Sequence, residues 1–182
     1  MTLRDPAMKN VALLVVALSC IHCNVRADNP VPVDSLQASA AAELLTVRSL
    51  SLVQAMSAAT AVIKACTSDR FLVSVVDKDG TVKVSLRGDG APAYTLEAAT
   101  RKAYTAASTG TATSQLEQAL SPHPELWSAR QIDGFLLLGG GLPVMIGTEI
   151  VGAIGVSGAP TIQADEACAR AGLRAIDDRV KR

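Results

Sequence analysis

Short apolar runs broken by glycine dominate one stretch of the chain, Gly134–Gly158. Such runs, when bounded by Gly and Pro, are typical of buried strands. Gly147-Thr148 lies between the second and third runs and suits a two-residue hairpin loop of type II′, because Gly comes first. The stretch therefore predicts three strands of a sheet core, with Gly139-Gly140-Gly141 as a bend or bulge at its rim. The three runs are Phe135–Leu138, Leu142–Ile146 and Ile150–Val156.

A further β-hairpin is predicted earlier in the chain. Phe71–Val76 is rich in β-branched residues, and Asp77-Lys78-Asp79-Gly80 is a turn signal. Apolar and polar residues then alternate over Thr81–Leu86, which predicts a second strand with one exposed face.

Helical periodicity predicts a first helix over about Val47–Cys66, introduced by Leu45-Thr46. Its apolar residues recur at helical spacing and predict one buried stripe. We expect the alanine-rich opposite side to contact a second helix or a partner subunit. The stripe consists of Leu52, Val53, Met56, Ala59, Thr60 and Ile63.

Three more helices complete the predicted domain. The first covers Leu96–Ser108, and a short one follows in which Ser114 and Glu117 form a capping box. Residues 121–129 are expected to be a loop, and Thr161 is expected to cap the final helix. Because tight hairpins join the strands, the predicted class is α+β with an antiparallel sheet, rather than doubly wound α/β.

The N-terminus has the layout of a secretory signal peptide. Lys9 precedes the apolar run Val11–Leu18, and small residues precede a cleavage point after Ala27. The run is shorter than the ~20 residues of a membrane-spanning helix, and a lipoprotein signal ending at Cys20 is the competing interpretation. We predict a signal peptide (1–27), a flexible leader (28–44) and a single domain (45–182). The protein is then expected in the periplasm or outside the cell.

Composition restricts the partners and the core. The 182 residues have a formal net charge of zero, with 49% hydrophobic and 3% aromatic residues. The core is therefore expected to consist of Ala, Val, Leu and Ile, and no basic tract marks a nucleic-acid-binding surface. Cys66 and Cys168 remain after signal removal. They are expected either to form a disulfide or to act as buried thiols.

Candidate chemistry is sparse. The sequence has no strong catalytic or zinc-binding motif, and the triple glycine lacks the Gly-Lys-Ser/Thr of a phosphate-binding loop. The bare backbone of the triple glycine suits a bend or the close approach of a ligand or a neighbouring subunit. His123, the one histidine after the signal peptide, is a surface residue or an axial haem ligand. Arg101 and Lys102 form a solvated helix face or bind a carboxylate or haem propionate. Tyr104 and Thr105 are further candidate contacts.

Six motifs lie in a fixed order along the chain. They are Asp77-x-Asp-Gly80, Arg87-Gly-Asp-Gly-Ala91, Arg101-Lys-Ala-Tyr-Thr-Ala-Ala107, Gly139-Gly-Gly-Leu-Pro143, Gly152-Ala-Ile-Gly-Val-Ser-Gly158 and Asp165-Glu-x-Cys-Ala-Arg-Ala-Gly172. Each motif alone is weak, but the ordered set is specific. Over roughly Leu45–Ile176 the chain resembles the GlcG/HbpS haem-binding family, to which the C-terminal domain of PduO-type proteins is related.

The resemblance implies a five-stranded antiparallel sheet flanked by helices and assembly into dimers or larger oligomers. It implies haem, or another tetrapyrrole, as the ligand, in extracellular redox sensing or haem handling. His123 lies in a variable loop, so its role as an iron ligand does not follow from the resemblance. The positions expected to line the site are Lys102, Tyr104, Thr105, Gly139, Gly140 and Gly141, with Arg101 and His123 as further candidates.

Two other functions remain open from the sequence. Some family members are linked to glycolate use, which suggests an enzyme or accessory subunit for a small 2-hydroxy or 2-oxo acid, with Lys102 or Arg101 holding the carboxylate. A ligand-free oligomeric scaffold is the other alternative, because few aromatic side chains are available to contact a haem.

Overall fold

The domain is built from two β-hairpins and the helices that pack on them. The computed structural model describes residues 46–66 and 68–180, with side chains to residue 176. The predicted signal peptide (1–27) and leader (28–44) lie outside these residues. No helix in the described ranges is long and apolar enough to cross a membrane. In chain order the elements are α1 (Leu52–Ala65), β1 (Leu72–Asp77), β2 (Val82–Arg87), α2 (Tyr94–Thr109), α3 (Thr113–Leu120), a 3₁₀-helix (Pro124–Gln131), β3 (Gly141–Ile146), β4 (Glu149–Ser157) and α4 (Ile162–Val180).

The strands form one antiparallel sheet in the order β2-β1-β4-β3. The turn that joins β1 to β2 follows Asp77, and Gly147-Thr148 joins β3 to β4, as predicted for both hairpins. All six residues of β1 are buried, and so are the last seven of β4. The antiparallel α+β class is therefore confirmed.

The Asp77 side chain holds the first turn together. Its Oδ1 atom accepts hydrogen bonds from the backbone N–H groups of Asp79 and Thr81, and its Oδ2 atom lies 3.2 Å from Lys83 Nζ. Burial by itself would raise the pKa of this carboxyl group. The hydrogen bonds from Thr81, Lys83 and Asp79 outweigh burial and lower the pKa, so they stabilise the folded state above the ordinary carboxyl pKa and are lost at lower pH.

The prediction of a strand at Phe135–Leu138 is wrong, and the described ranges contain four strands rather than five. Hydrogen bonds from side chains, not from a neighbouring strand, satisfy the backbone N–H and C=O groups of this segment. Leu136 N donates to Thr105 Oγ1 at 2.8 Å, and Thr113 Oγ1 donates to Leu138 O at 2.8 Å. A buried backbone group needs one partner, and here helix side chains provide it.

The first helix begins later than predicted because Ser51 caps it. Ser51 Oγ accepts from Gln54 N, and the Gln54 side chain accepts from Ser51 N, which completes a capping box. Leu50, one residue earlier, donates its N–H to Val151 O of β4 at 2.8 Å, which fixes the residue before the cap against the sheet.

The face that α1 buries is largely the opposite of the predicted one. Leu52, Val53 and Met56, which were expected inside, are 58%, 65% and 43% exposed. Small residues on the inner face let α1 lie close to the sheet and α4, where larger side chains would hold the elements apart. The buried residues of α1 are Ala55, Ala58, Ala59 and Val62.

Helices cover both faces of the sheet. On one face, α1 and α4 share a core with inward residues such as Val75 and Ile154. On the other face, α2 packs against Val76 and Ala153 through alanines that include Ala103. Adjacent residues along a strand point to opposite faces, which explains why Val75 and Val76 belong to different clusters.

Two paired glycines bring α2 directly onto the sheet backbone. Gly141 of β3 lies opposite Gly155 of β4. A Cβ atom on Gly155 would lie 2.0 Å from Ala99 O, and one on Gly141 would lie 2.4 Å from Lys102 O. Only glycine permits this approach between helix and strand.

A disulfide joins the two helices on the other face. Cys66, at the C-terminal end of α1, bonds to Cys168 of α4, and their Cα atoms are 5.7 Å apart. Of the two predicted states of these cysteines, the structure contains the disulfide.

We expect Gly155→Ala to lower the free energy of unfolding by about 3 kcal/mol, because the added methyl group collides with the backbone of α2. Gly147→Ala is the control, since nothing lies within 4 Å of its added Cβ. It should cost only about 1 kcal/mol, for a left-handed backbone. Urea unfolding followed by circular dichroism measures both, and equal losses would contradict the proposed packing.

We also expect reduction of the disulfide to lower the free energy of unfolding by about 4 kcal/mol, because the bond closes a loop with a sequence separation of 102 residues. Thermal unfolding with and without a thiol reductant measures the change. A Cys66→Ser/Cys168→Ser variant should unfold at the same temperature as the reduced protein, and added reductant should not change that temperature. A wild-type curve that reductant leaves unchanged would argue against the bond.

Candidate functional site

The predicted site residues of α2 divide into a buried set and a partly exposed set. Lys102 and Thr105 are buried, whereas Arg101 and Tyr104 are half-buried. This division follows from helix geometry. One side of α2 faces the sheet and buries its residues, whereas the other side faces outward.

Lys102 is the largest fully buried side chain in the described structure, with 1% exposure. Its ammonium group lies 2.9 Å from Asp165 Oδ2 and 3.0 Å from Val156 O. Asp165 Oδ1 in turn accepts from Ala159 N at 2.9 Å. The ion pair therefore joins α2, the end of β4 and the first turn of α4, and the Lys102 ammonium group already has an acidic partner.

The three glycines of the predicted bend face other parts of the protein. A Cβ atom on Gly139 would lie 2.5 Å from Ile162 Cγ2. One on Gly140, whose φ is +118°, would lie 2.6 Å from Val156 O, and Gly141 lies against Lys102 as described above. Within the single chain, the backbone exposed by these glycines contacts helices α2 and α4 and the end of β4.

Arg101 and Thr105 hold the segment that follows the 3₁₀-helix. The Arg101 guanidinium group donates to Phe135 O, and Thr105 Oγ1 donates to Arg101 O while accepting from Leu136 N. Arg101 Nη1 also donates to Glu97 Oε1 at 3.2 Å, one helical turn away. Arg101 Nε is buried and has no hydrogen-bond partner. Because the side chain is 36% exposed, the guanidinium group is a cation at the edge of solvent.

Tyr104 lies between two turns of the chain. Its ring packs against Gly80 on one edge and Gly134 on the other, and added Cβ atoms there would lie 2.4 Å and 2.9 Å from ring carbons. The ring of Phe135 meets it edge to face, with centroids 6.1 Å apart. A surface that is both cationic and aromatic therefore lies on the outer side of α2. It consists of Arg101, Tyr104 and Phe135, and we call it the α2 surface.

His123 lies on a different segment, immediately before the 3₁₀-helix. It is exposed, and its Nδ1 atom lies 3.0 Å from Glu125 Oε1. Its backbone bonds join it to Leu120 and Leu126. No group of three His, Cys, Asp or Glu side chains in the described ranges is arranged to hold a metal ion, so the role of His123 as an iron ligand stays a prediction.

Several residues that shape this region were not predicted from the sequence. Asp165 entered the sequence analysis only as the first residue of the last motif, and Thr113 was not singled out. Thr113 Oγ1 accepts from Gly141 N at 2.9 Å. Ser114 was predicted to cap α3, which is wrong, because its hydroxyl instead donates to Glu166 Oε2 of α4 at 2.6 Å. No local signal in the sequence marks these long-range pairs.

A family model for HbpS-like proteins, described as haem degrading, matches residues 50–174. The chain belongs to this HbpS-like family. The resemblance inferred from the six motifs is thereby confirmed. The match spans α1 to α4 and so includes the Lys102–Asp165 pair and the α2 surface.

Three solved structures are similar to this HbpS-like chain. A double mutant of HbpS from Streptomyces reticuli is 41% identical, with a TM-score of 0.67, over 72% of this chain and 89% of that one. ORFY from Klebsiella pneumoniae is 29% identical, with a TM-score of 0.69, over 74% and 95%. A haem complex of PduOC is 26% identical, with a TM-score of 0.63, over 70% and 94%.

We expect Lys102→Met to lower the free energy of unfolding by about 3–5 kcal/mol, because it leaves the Asp165 carboxylate buried without a cation. Adding Asp165→Leu to that variant should recover most of the loss. Chemical denaturation of the wild type, both single variants and the double variant measures the coupling. If the losses of unfolding free energy in the two single variants add up to the loss in the double variant, the two side chains do not form a direct ion pair.

Proposed function

We propose that this protein binds haem and acts in haem handling or redox sensing outside the cytoplasm, after removal of the predicted signal peptide. The observation that supports this most is the match of residues 50–174 to a family described as haem degrading. The similarity to a haem complex of PduOC supports the same class of ligand.

The α2 surface fits one edge of a haem. Haem needs cations for its propionates, apolar contact for its macrocycle and an axial donor for iron. Arg101 offers a guanidinium group that is 36% exposed and whose acidic partner, Glu97, is itself exposed, and the rings of Tyr104 and Phe135 lie beside it. When bound, the iron would supply redox chemistry, and the role of these residues is to bind and orient the group.

The other predicted site residues have supporting roles in this proposal. Lys102 and Gly139–Gly141 fix the position of α2 against the sheet and α4, and Thr105 fixes Leu136 beside Phe135. His123 is proposed as the axial ligand from the sequence alone. Because Glu125 contacts its Nδ1 atom, Nε2 is the ring nitrogen available to iron.

Haemin titration of the purified protein tests the proposal. We expect a saturable shift of the Soret band at micromolar haemin. No saturable shift would overturn haem binding. Decay of the bound Soret band after a reductant is added in air would measure haem degradation, the activity in the family's description. Glycolate and related 2-hydroxy acids should not displace the haem; thermal stabilisation by such an acid, without a Soret shift, would favour the alternative carboxylate ligand.

Two substitutions test the site separately from the function. Arg101→Gln should weaken haemin binding about tenfold, since a charge-assisted contact is lost. Arg130→Gln, on the exposed 3₁₀-helix, is the matched control and should leave the affinity unchanged. His123→Ala should change the Soret position. If the Arg101 variant keeps its haemin affinity and the His123 variant keeps its spectrum, the haem must bind elsewhere on the protein.

A further inference from the structure

The disulfide between α1 and α4 forms part of the wall of a cavity. Cys66 and Cys168 are both partly exposed, and both line a pocket of about 330 Å³. Pockets that bind small molecules have volumes of about 300–1,000 Å³, so this one suits a ligand of few atoms. Much of its wall is apolar and includes Phe71, Ala164 and Ala167. We call it the disulfide pocket.

The disulfide pocket also has a cation. Among the described residues that line it, Arg174 is the one with a charge. Arg174 is exposed and lies on α4, six positions after Cys168. Six residues span about 9 Å of helix, and side chains of a helix lean toward its N-terminus, which is the direction of Cys168 from Arg174. One small ligand can therefore contact both the guanidinium group and the S–S bond.

We propose that the disulfide pocket binds a low-molecular-weight thiol that carries a carboxylate, and that this thiol exchanges with the Cys66–Cys168 bond. The carboxylate binds the Arg174 guanidinium group, because that cation matches the planar geometry of a carboxylate. The sulfur reacts with the disulfide, because a thiolate is the nucleophile that opens an S–S bond. The apolar wall contacts the short carbon chain between these two groups.

The exchange conserves atoms and electrons. The thiolate sulfur of the ligand attacks Cys66 Sγ, a new S–S bond forms between these two atoms, and the bond to Cys168 Sγ breaks. The electron pair of the broken bond stays on Cys168 Sγ, which leaves as a thiolate and takes a proton from solvent. The ligand sulfur is thereby oxidised and Cys168 is reduced. A second thiol that attacks the mixed disulfide releases Cys66, so that both cysteines end as thiols.

The helix ends favour Cys168 as the leaving group. Cys66 caps the C-terminal end of α1, where the partial negative charge of the helix opposes a thiolate. Cys168 lies in the first half of α4, away from the C-terminal end of that helix. The more stable thiolate leaves faster. Attack at Cys66 is therefore favoured, and the mixed disulfide forms there.

Exchange rates with two thiols test the role of Arg174. Mercaptoacetate carries a carboxylate, whereas mercaptoethanol is uncharged. We expect Arg174→Gln to slow the reaction of the folded protein with mercaptoacetate about tenfold, since a charge-assisted contact is lost. The same substitution should leave the rate with mercaptoethanol unchanged.

Arg170→Gln is the matched control, because Arg170 is an exposed arginine of the same helix that does not line the disulfide pocket. It should change neither rate. If both substitutions slow mercaptoacetate equally, the effect is general charge attraction, and the proposal is overturned. An Arg174→Gln variant that reacts with mercaptoacetate as fast as the wild type would overturn it as well.

Peptide mass spectrometry tests the site of attack. After brief exposure to mercaptoacetate and trapping of free thiols with N-ethylmaleimide, we expect the adduct on Cys66 and the maleimide on Cys168. The rate should rise in proportion to the thiol concentration. A rate that levels off would mean that the bond reacts only after unfolding. That result, or an adduct confined to Cys168, would contradict the proposal. No step uses haemin, so these outcomes are independent of haem binding.

Discussion

The close approach of α2 to the sheet constrains most of the structure on that side. Gly141 and Gly155 lie opposite each other and have no side chains to hold the helix away. The helix backbone therefore rests on β3 and β4, and the space left for its inward side chains is small. Alanine or threonine fills that space at every buried position of α2 except Lys102. Its long side chain extends beyond the sheet and ends at Asp165, so the closeness of the helix leads directly to the buried ion pair.

The contacts of α2 explain in structural terms why several of the family motifs have the residues they do, although the motifs resemble the signature of a binding site. Three of the six motifs meet in space at the junction of α2, the triple glycine and α4. Lys102, Gly140 and Asp165 belong to three of those motifs and contact one another. The surface available for a ligand is the outward side of the same helix, with Arg101 and Tyr104. Within the motif Arg101–Ala107, Lys102 thus serves packing, whereas its neighbour Arg101, in our proposal, binds the ligand.

Local patterns predicted the local structure. The turn at Asp77–Gly80, the hairpin at Gly147 and the cap at Thr161 follow from residue types that favour those conformations. The orientation of α1 did not follow from its pattern, because hydrophobicity ranks Leu and Met above Ala, whereas close packing of helices selects Ala. The segment Phe135–Leu138 has the composition of a strand, yet side chains 25 to 34 positions away in sequence occupy its backbone groups. The Lys102–Asp165 pair spans 63 positions, and no periodicity in a single sequence connects residues at that distance.

The bond between Cys66 and Cys168 makes all four strands of the described sheet, together with α2, part of a covalent ring. The exposed 3₁₀-helix, Pro124–Gln131, lies inside that ring and has no buried residue. Exposed segments of this kind are where proteases cut first. A single cut there would open the ring without separating the two pieces, since the disulfide would still join them. Where proteases are abundant, the domain can therefore be cut at this exposed segment while its two pieces stay covalently joined until the disulfide is reduced.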